Sequence, residues 1–475
     1  MAARPFRRTK IIATIGPATE SEEMLTQVIA AGADVLRINM AHASHEWVRK
    51  VLNRIRTVTS ELGREVGVMM DIKGPEIRTG TLPEPAMLKK GDRVDFVAIA
   101  DDTPPTPGVL AVDVNYPGIV KSVGKGETIL VDNGLLRLTV IENTGTRLRC
   151  TVEIGGSLGS RRHINLPGIR IDLPSLTEKD YAHALLGIEV GIDFFAQSFV
   201  RRREDIQLLR DFLRQHGSRA TITAKIEDQE AITNLEEIVE CCDSLMVARG
   251  DLGIENPAEE LPILQRRAVT LCIELGKPVI IATHLLETMI ENPVPTRAEV
   301  SDIANAVFEE ADCIMLSGET AIGKYPEQCV EMFDRIARRL ESIPTAGFAL
   351  GSKNASDKLK LTRSAILVAE EMPAAGILAF TRQGSTARNA AALRPRKVPV
   401  FAVTDTVHMQ RQMKILRAIE PFCMAMDRNP IDTVPQAIAM LRAAGCISRG
   451  DKLVILGDHI VNGRRIDSVE LRTVD

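Results

Sequence analysis

The segment TITAKIEDQ, residues 221–229, places Lys225 and Glu227 on one face at the end of a predicted strand. Residues two apart in a strand point to the same side, so the ammonium and carboxylate groups are expected to be neighbours. A second carboxylate, Asp251, follows the next predicted strand, SLMVARG. Two carboxylates from neighbouring strands suit Mg²⁺ or Mn²⁺, hard ions that bind oxygen and leave positions for substrate. The pattern therefore predicts a divalent-metal site at Glu227 and Asp251.

Lys225 has a chemical use beyond an ion pair if a metal ion binds these carboxylates. In a water-poor pocket its ammonium could stabilise negative charge on an enolate or on a phosphoryl group in transfer. Arg37, near the end of the strand DVLRIN, adds a guanidinium that can bind phosphate through two hydrogen bonds. Taken singly, Glu227 is equally typical of an ion pair with Lys225, and Asp251 of a cap on the next turn. Their joint placement favours phosphate and enolate chemistry.

These residues lie at the ends of a regular series of predicted strands. Three strands are predicted at residues 10–15, 34–39 and 66–72, and five more follow after residue 190, separated by amphipathic helices. Eight strand–helix repeats with apolar strands predict an α/β fold, a (β/α)₈ TIM barrel whose reactive groups gather at the carboxyl ends of the strands. An open doubly wound sheet is the alternative, and the count of eight favours the barrel. A capping box of Thr19 and Glu22 is expected to begin the first helix.

The alternation of strand and helix indicates three domains. The barrel is assigned to residues 1–73 and 169–343, and residues 74–168, with short alternating runs between Gly, Pro, Asp and Asn, predict an inserted small all-β domain, a barrel or sandwich. A polar, Lys-rich linker is predicted at residues 349–362. A C-terminal α/β domain is assigned to residues 350–475, with strands GILAFT, VPVFAVT and DKLVILG.

Composition narrows the classes of partner. The 475 residues are 45% hydrophobic and 26% charged, which is typical of globular domains. A net charge of -4 and 3% aromatic residues argue against a nucleic-acid partner. No apolar run is long enough to predict a membrane span. The eight cysteines form no C-x-x-C pair, so reduced thiols and a cytoplasmic location are expected.

Several longer motifs point to one family. KGPEIRTG, NLPG, KIEDQEAI, MVARGDLGIE, PTRAEVSDIANAV and DCIMLSGETAIGKYPE occur in this order. Together they closely resemble the pyruvate kinase family, and the resemblance extends from Thr9 through the C-terminal domain. It implies phosphoryl transfer from phosphoenolpyruvate to ADP, giving pyruvate and ATP in glycolysis. Two alternatives stay open: a regulatory paralogue with poor turnover, motivated by Ala41, and a magnesium-dependent lyase of pyruvate enolates, which would not explain the inserted domain, Lys73 or Arg78.

The resemblance also implies roles for individual residues. The inserted domain is expected to close as a lid that excludes water, and a homotetramer is implied. The implied catalytic residues are Lys225, Arg37, Thr283, near which the enolate is protonated, and Arg78. The implied substrate-binding residues are Arg37, Lys225, Ala248, Arg249, Gly250, Asp251 and Thr283. The implied nucleotide-binding residues are Asn39, His42, Arg78 and Arg202. Glu227 and Asp251 would bind Mg²⁺.

The chain departs from the family pattern at the implied potassium site. The family usually has Asn-Phe-Ser-His-Gly where this chain has Asn39-Met-Ala41-His-Ala, so one serine hydroxyl is absent. Asn39, Asp71 and the carbonyl of Ile72 remain, which predicts a weakened K⁺ site. In the C-terminal domain, the segment FTRQGST resembles the family's effector loop, and a phosphorylated effector is one interpretation; a capped helix start is the other. The implied effector residues are Thr381, Gln383, Gly384, Ser385 and Thr386.

Overall fold

The protein is described from a computed structural model that covers residues 6–100, 106–347, 356–426, 430–461 and 464–475. The strands are β1 (Lys10–Ile15), β2 (Val35–Asn39), β3 (Gly67–Ile72), β4 (Ala86–Leu88), β5 (Arg93–Val97), β6 (Leu110–Asp113), β7 (Thr128–Val131), β8 (Leu136–Asn143), β9 (Arg147–Ile154), β10 (Gly156–Leu158), β11 (Ile164–Asn165), β12 (Phe194–Gln197), β13 (Thr221–Ile226), β14 (Ser244–Ala248), β15 (Val279–Ala282), β16 (Cys313–Leu316), β17 (Gly376–Phe380), β18 (Val400–Thr404), β19 (Ile419–Cys423), β20 (Lys452–Val461) and β21 (Arg464–Thr473).

Helices alternate with the strands in the first and last parts of the chain. They are α1 (Glu22–Ala31), α2 (His45–Leu62), α3 (Ile119–Ser122), α4 (Glu178–Glu189), α5 (Arg203–Gln215), α6 (Gln229–Thr233), α7 (Leu235–Cys241), α8 (Arg249–Glu255), α9 (Leu261–Glu274), α10 (Arg297–Phe308), α11 (Gly318–Ala321), α12 (Pro326–Glu341), α13 (Asp357–Glu371), α14 (Ser385–Ala392), α15 (Val407–Gln412) and α16 (Pro430–Ala443). Within the described residues, none of them has both the length and the apolar content needed to cross a bilayer.

Eight parallel strands close into a barrel in the order β1-β16-β15-β14-β13-β12-β3-β2. Their side chains are almost all buried because the helices cover the outer face and side chains fill the interior. The predicted TIM barrel, with its three strands before the insertion and five after it, is confirmed. Parallel strands all end at the same rim, so the barrel gathers the residues that follow each strand into one mouth.

The helices pack on the barrel through one apolar face, and α2 illustrates why. Val48, Val51, Leu52, Ile55 and Val58 recur every three or four residues and are all buried. Ser44 caps the first turn, and Gly63 ends the helix with φ 60°, a conformation that glycine adopts without strain. The pattern of apolar residues in the sequence thus predicts both the buried face and the end of this helix.

The first helix begins differently from the prediction. Ser21, not Thr19, is the N-cap of α1, and its hydroxyl accepts a hydrogen bond from the Met24 amide. Thr19 is fully buried and donates its hydroxyl proton to the Thr320 carbonyl, on the connection after the last barrel strand. The expected capping box was therefore wrong, because a tertiary contact takes the side chain that would have made it.

The inserted segment between β3 and α4 forms two antiparallel-rich sheets. One has six strands in the order β11-β7-β8-β9-β5-β6, and the other pairs β10 with β4. The all-β prediction is confirmed, apart from the single turn α3. The insertion enters after β3 and returns before β12, and these two strands pair directly in the barrel, with Met69 opposite Phe194. We call this insertion the lid.

The C-terminal domain is a five-stranded sheet in the order β19-β18-β17-β20-β21. The three predicted strands correspond to β17, β18 and β20; β19 and the antiparallel edge strand β21 were missed. The predicted linker extends too far: residues 348–355 lie outside the described residues, and helix α13 begins at Asp357.

This domain packs against the amino-terminal end of the barrel through a buried ion pair and a buried hydrogen bond. Arg394 binds both carboxylate oxygens of Asp312, the residue before β16, at 2.6 and 2.7 Å. Arg417 donates to the Thr9 hydroxyl, just before β1, at 2.6 Å. All four side chains are nearly inaccessible to solvent. Both arginines therefore fix the docking of the domain to the end of the barrel opposite the mouth.

Candidate active site

A buried lysine lies at the centre of the barrel mouth. The ammonium of Lys225, near the end of β13, is 2.7 Å from Oε1 of Glu227 and 2.7 Å from the hydroxyl of Ser198. It is 3.4 Å from Oδ1 of Asp71, on β3. Lys225 is only 8% exposed. The side-by-side placement of Lys225 and Glu227 predicted from the sequence is thus present.

Arg37 joins the same cluster from β2. Its Nε and Nη2 lie 2.8 and 2.7 Å from Oδ2 of Asp71, and its Nη1 donates to the Thr14 hydroxyl at 3.0 Å. Asp71 therefore lies between the guanidinium of Arg37 and the ammonium of Lys225. This shared carboxylate holds two cations, from β2 and β13, at one rim of the barrel.

The charges of the cluster perturb one another strongly. Burial alone would lower the pKa of Lys225, but Asp71 and Glu227 raise it above its usual value, so the ammonium stays protonated. Burial alone would raise the pKa of Asp71, yet Lys225 and Arg37 hold it below its ordinary range. Lys225 is thus kept charged in a site shielded from water.

The two predicted metal ligands remain under-compensated, although Lys225 pairs with one of them. Burial raises the pKa of Glu227 and the neighbouring charge of Asp251 raises it further, against the opposing effect of Lys225. Burial likewise raises the pKa of Asp251, and Glu76 and Asp71 add to the effect. A cation between these carboxylates would relieve this repulsion. The donor set, two carboxylates open to water or substrate oxygens, therefore fits Mg²⁺.

Glu227 is held in place from both sides. Its Oε2 accepts a hydrogen bond from the Phe199 amide at 2.7 Å, while Oε1 faces Lys225. Phe199 has φ 52°, a strained value for an aromatic residue. Such strain persists only where surrounding contacts enforce it, and here it directs the amide at the carboxylate.

Thr283 follows β15 and contacts the start of helix α8. Its hydroxyl accepts a hydrogen bond from the Gly250 amide at 2.8 Å and donates to the Ala282 carbonyl at 2.6 Å. Thr283 and His284 have φ of 68° and 56°, both in the left-handed region. Two adjacent non-glycine residues in this conformation mark a strongly constrained turn, which Thr283 links to Gly250, the residue before Asp251.

The backbone from Ala248 to Gly250, which the resemblance implies binds substrate, forms the junction of β14 with α8. The side chain of Arg249, however, is directed away from that backbone. It pairs with Asp302 at 2.7 Å and donates to the Thr283 and Ala282 carbonyls. Its guanidinium therefore braces β15 and α10, so any role in substrate binding belongs to its backbone.

Arg78 lies where the chain enters the lid. Its guanidinium pairs with Glu76, and its Nη1 donates to the carbonyl of Arg161 in the lid at 2.6 Å. Glu76 also pairs with Lys73 at 2.8 Å. This group is close enough to Asp251 for Glu76 to raise the pKa of that carboxyl, after the larger effects of burial and of Lys225, which acts in the opposite direction. The lid junction and Asp251 are therefore electrostatically connected.

The chain matches two family models that together span nearly all of it. Residues 6–330 match the pyruvate kinase barrel domain, and residues 360–466 match the pyruvate kinase alpha/beta domain. The chain belongs to the pyruvate kinase family.

Individual relatives agree with these models. Pyruvate kinase 2 of Synechocystis sp. is 37% identical over 94% of this chain and 76% of its own length. Pyruvate kinase of Staphylococcus haemolyticus is 39% identical over 95% of this chain and 77% of its own length. A crystal structure of a pyruvate kinase from Cryptosporidium parvum superimposes with a TM-score of 0.92 at 32% identity, covering 99% of this chain and 96% of that one. The chain is thus an enzyme that transfers the phosphoryl group of phosphoenolpyruvate to ADP.

Pyruvate kinases generally use Mg²⁺ and K⁺. The residues of the predicted potassium site are partly engaged with other groups. Asn39 Oδ1 accepts a hydrogen bond from the Ala41 amide at 3.1 Å, and the Ile72 carbonyl accepts one from the Ser198 amide at 3.4 Å. Asp71 already pairs with Lys225 and Arg37. The weakened K⁺ site stays a prediction.

The predicted nucleotide-binding residues are dispersed. Asn39 lies opposite Asp71 in the pairing of β2 with β3, next to the cluster around Lys225. Arg78 pairs with Glu76 at the lid junction. His42 is exposed on the connection after β2. Arg202 pairs with Glu230 at 3.0 Å and lines a separate cavity of about 600 Å³ near the return of the lid. The structure therefore does not bring Arg202 against Lys225.

Two polar residues of the cluster were missed from the sequence. Ser198 follows β12 and links Lys225 with Asp71, whose Oδ1 its hydroxyl contacts at 3.3 Å. Thr14, near the end of β1, supports Arg37. These residues lie at the carboxyl ends of β1 and β12, where no catalytic residue was predicted. The rule that reactive groups gather at strand ends, applied to all eight strands, points to both residues.

Proposed function

We propose that Lys225 and Arg37 stabilise the phosphoryl group of phosphoenolpyruvate while it moves to ADP. The observation that carries this proposal is the buried ammonium of Lys225, held by Glu227, Ser198 and Asp71. A preorganised cation in a water-poor site stabilises developing negative charge without first reorganising solvent. Arg37 would face the phosphoryl oxygens from β2, since Asp71 fixes its guanidinium toward the mouth.

Glu227 and Asp251 would hold the divalent ion, Mg²⁺ or Mn²⁺. When bound, the ion would neutralise phosphoryl and carboxylate oxygens of the substrate. The amides at Ala248–Gly250 would bind the substrate carboxylate at the start of α8. In this arrangement Lys225 remains protonated, because Asp71 and Glu227 keep its pKa above the usual value despite its burial.

Thr283 would direct the second step, protonation of the enolate carbon. Its hydroxyl is fixed between the Gly250 amide and the Ala282 carbonyl. A hydroxyl is too weak an acid to supply this proton unaided at neutral pH, so it would orient a water molecule that does so. Its contact with Gly250 supports this role, because the proposed binding site of the substrate carboxylate includes that amide.

Closure of the lid would complete the nucleotide site. Arg78 joins the lid to the barrel through its hydrogen bond to the Arg161 carbonyl. Asn39 is the last residue of β2, and His42 follows it on the same rim. We assign these residues and Arg202 to ADP binding; Arg202 requires the lid to bring the nucleotide toward the cavity near Glu230. Lid closure would also exclude water from the transfer.

We further propose four features, the first from the change at Ala41 and the others from the family resemblance. They are a K⁺ site weakened by Ala41, a phosphorylated effector at segment 381–386, a homotetramer and a cytoplasmic location. A titration of activity with potassium that is flat from zero would exclude the weakened site. The domain boundaries 1–73 with 169–343, 74–168 and 350–475 remain predictions.

The decisive experiment measures ADP-dependent pyruvate formation from phosphoenolpyruvate with magnesium. Lys225→Met should lower kcat by about 10²- to 10³-fold, the usual effect of removing one preorganised donor at a developing anion. Lys50→Met, on the exposed face of α2, is the control and should match the wild type. Binding of phosphoenolpyruvate without turnover would indicate the regulatory paralogue, and turnover that ignores ADP would indicate the lyase.

A further inference from the structure

A second cavity lies at the end of the barrel opposite the mouth. It encloses about 600 Å³ and is lined by residues of both the barrel and the C-terminal domain. Its barrel wall includes Thr221, the first residue of β13, and Lys277, which precedes β15. Its opposite wall includes Arg388 on α14 and Leu416 before β19. Its volume is in the range of small-molecule sites, so it can hold an organic ligand that touches both domains.

Two cations line this cavity, and their hydrogen bonds go to backbone carbonyls. Lys277 donates to the Glu240 and Cys242 carbonyls at 3.1 and 2.7 Å, and Arg388 donates to the Gln383 carbonyl at 2.7 Å. Among the described residues, neither cation has a carboxylate within ion-pair distance. Burial lowers the pKa of Arg388, and the more distant Asp243 only partly offsets this effect. Both cations are therefore available to an anion.

The carboxylates of the cavity do not cancel this preference. Asp243 already accepts hydrogen bonds from Arg210 at 3.0 Å and from the Ile222 amide at 2.8 Å. Glu274 also lines the cavity but is exposed to solvent. Because Arg210 and the Ile222 amide engage Asp243, Lys277 and the solvent-exposed Arg388 remain able to contact an anion.

The rest of the lining provides both polar and apolar contacts. Ser385 and Asn389 lie on the face of α14 that carries Arg388, and the Thr221 hydroxyl is buried without a hydrogen-bond partner. Met409 and Leu416 supply an apolar wall. A ligand that suits this lining has an anionic group for the cations and hydroxyls and an apolar body for the wall. Phosphate oxygens accept more hydrogen bonds than a carboxylate and suit paired cations better.

Only part of the predicted effector segment faces the cavity. Gln383 and Ser385 line it, whereas Thr381 and Thr386 are buried within the C-terminal domain at 5% and 3% exposure. Gly384, with φ 74°, makes the turn between them. A ligand bound through this segment on the cavity side would therefore contact the barrel as well, which the sequence did not indicate.

We propose that this interdomain cavity binds a phosphate monoester with a small apolar body, held between Lys277 and Arg388. The ligand bridges the barrel and the C-terminal domain. The proposal is independent of the reaction assigned above, because binding here involves no residue of the barrel mouth.

The first test is calorimetric titration of the full-length protein with phenyl phosphate, with phenol and inorganic phosphate as partial ligands. We expect phenyl phosphate to bind more tightly than either. Lys277→Met and Arg388→Met should each weaken binding at least tenfold, while Lys360→Met, an exposed lysine of α13, should leave it unchanged. Loss of binding in Lys225→Met with retention in Lys277→Met would place the ligand in the barrel mouth and overturn the proposal.

The second test does not depend on the folding of variants. Crystals of the wild-type protein soaked in 4-bromophenyl phosphate should show bromine anomalous signal against Met409 and Leu416, with the phosphate between the two cations. Signal confined to the barrel mouth or to lattice contacts, or no signal in this cavity at saturating ligand, would refute the site. Because no turnover is measured, neither test can fail through an error in the assigned reaction.

Discussion

Replacement of Ser198 by alanine tests whether the reactive ammonium is positioned by a neutral neighbour. The Ser198 hydroxyl accepts a hydrogen bond from Lys225 at 2.7 Å and contacts Asp71 Oδ1 at 3.3 Å. Once a metal ion draws on Glu227, that carboxylate holds the ammonium less firmly. Ser198 is then the neutral group that fixes the position of Lys225 relative to the phosphoryl group.

The magnitude follows from the contact that is lost. A hydrogen bond to a charged group contributes about 1.5–3 kcal/mol, which corresponds to about 10- to 150-fold in rate. Lys225 keeps its contacts with Asp71 and Glu227, so we expect Ser198→Ala to lower kcat by about 10- to 30-fold, in the lower part of that range. The KM for phosphoenolpyruvate should change much less, because Arg37 and the start of α8 remain intact.

The assay is steady-state pyruvate formation for Ser198→Ala, Ser198→Thr and the control Ser364→Ala, an exposed serine of α13. Ser198→Thr keeps the hydroxyl and should recover much of kcat, and the control should match the wild type. A kcat for Ser198→Ala within twofold of the wild type would contradict the positioning role. So would a threonine variant as slow as the alanine variant, since that would point to packing.

Three further predictions concern other parts of the molecule. Arg394→Gln should lower the free energy of unfolding by about 3–5 kcal/mol, because it leaves Asp312 buried without its partner; an unchanged thermal midpoint would contradict this. Burial and the charge of Asp228 raise the pKa of Glu255 to about 7. The folded state therefore holds the Glu255 proton more tightly than the unfolded chain does. The stabilisation that results is fully present below the ordinary carboxyl pKa and is lost as pH rises through 7. Glu255→Gln should therefore flatten the pH dependence of the free energy of unfolding and stabilise the protein at pH 8, and denaturant titrations at pH 5 and 8 measure both effects. Ala41→Ser should restore a hydroxyl to the predicted potassium site and increase activation by K⁺, whereas identical potassium titrations for variant and wild type would remove Ala41 as the cause of a weakened site.

The barrel was predictable because its signal repeats. Each strand is apolar along its length and polar at one end, and eight such units fix the closed sheet and the location of its mouth. The strands missed in the C-terminal domain carry weaker signals. β19 contains Glu420 and Pro421 within five residues, which fits its position at the sheet edge, where proline is tolerated. β21 carries Arg472 and Glu470 on an edge strand, so its composition resembles a loop.

The residues of the candidate site could be predicted where they lie at the carboxyl ends of strands. Lys225 with Glu227, and Arg37 near Asp71, could be inferred from spacing and family motifs. The bracing of Arg249 by Asp302 could not, because that partner is 53 residues away on another helix. Nor could the cavity beside Ser385, since it exists only where two domains meet. Sequence spacing is informative about neighbours within one element and uninformative about which distant side chain satisfies a charge.

The way the lid joins the barrel has a consequence for how such a molecule can change over evolutionary time. Because β3 and β12 pair directly, the cylinder is complete whether or not anything is threaded between them. The chain leaves the barrel after β3 and returns before β12, which are adjacent strands, so the two ends of the lid lie next to each other. A module attached in this manner can be exchanged, shortened or enlarged while every register of the surrounding sheet is conserved, and new substrate specificity can be acquired at the rim without refolding what supports it.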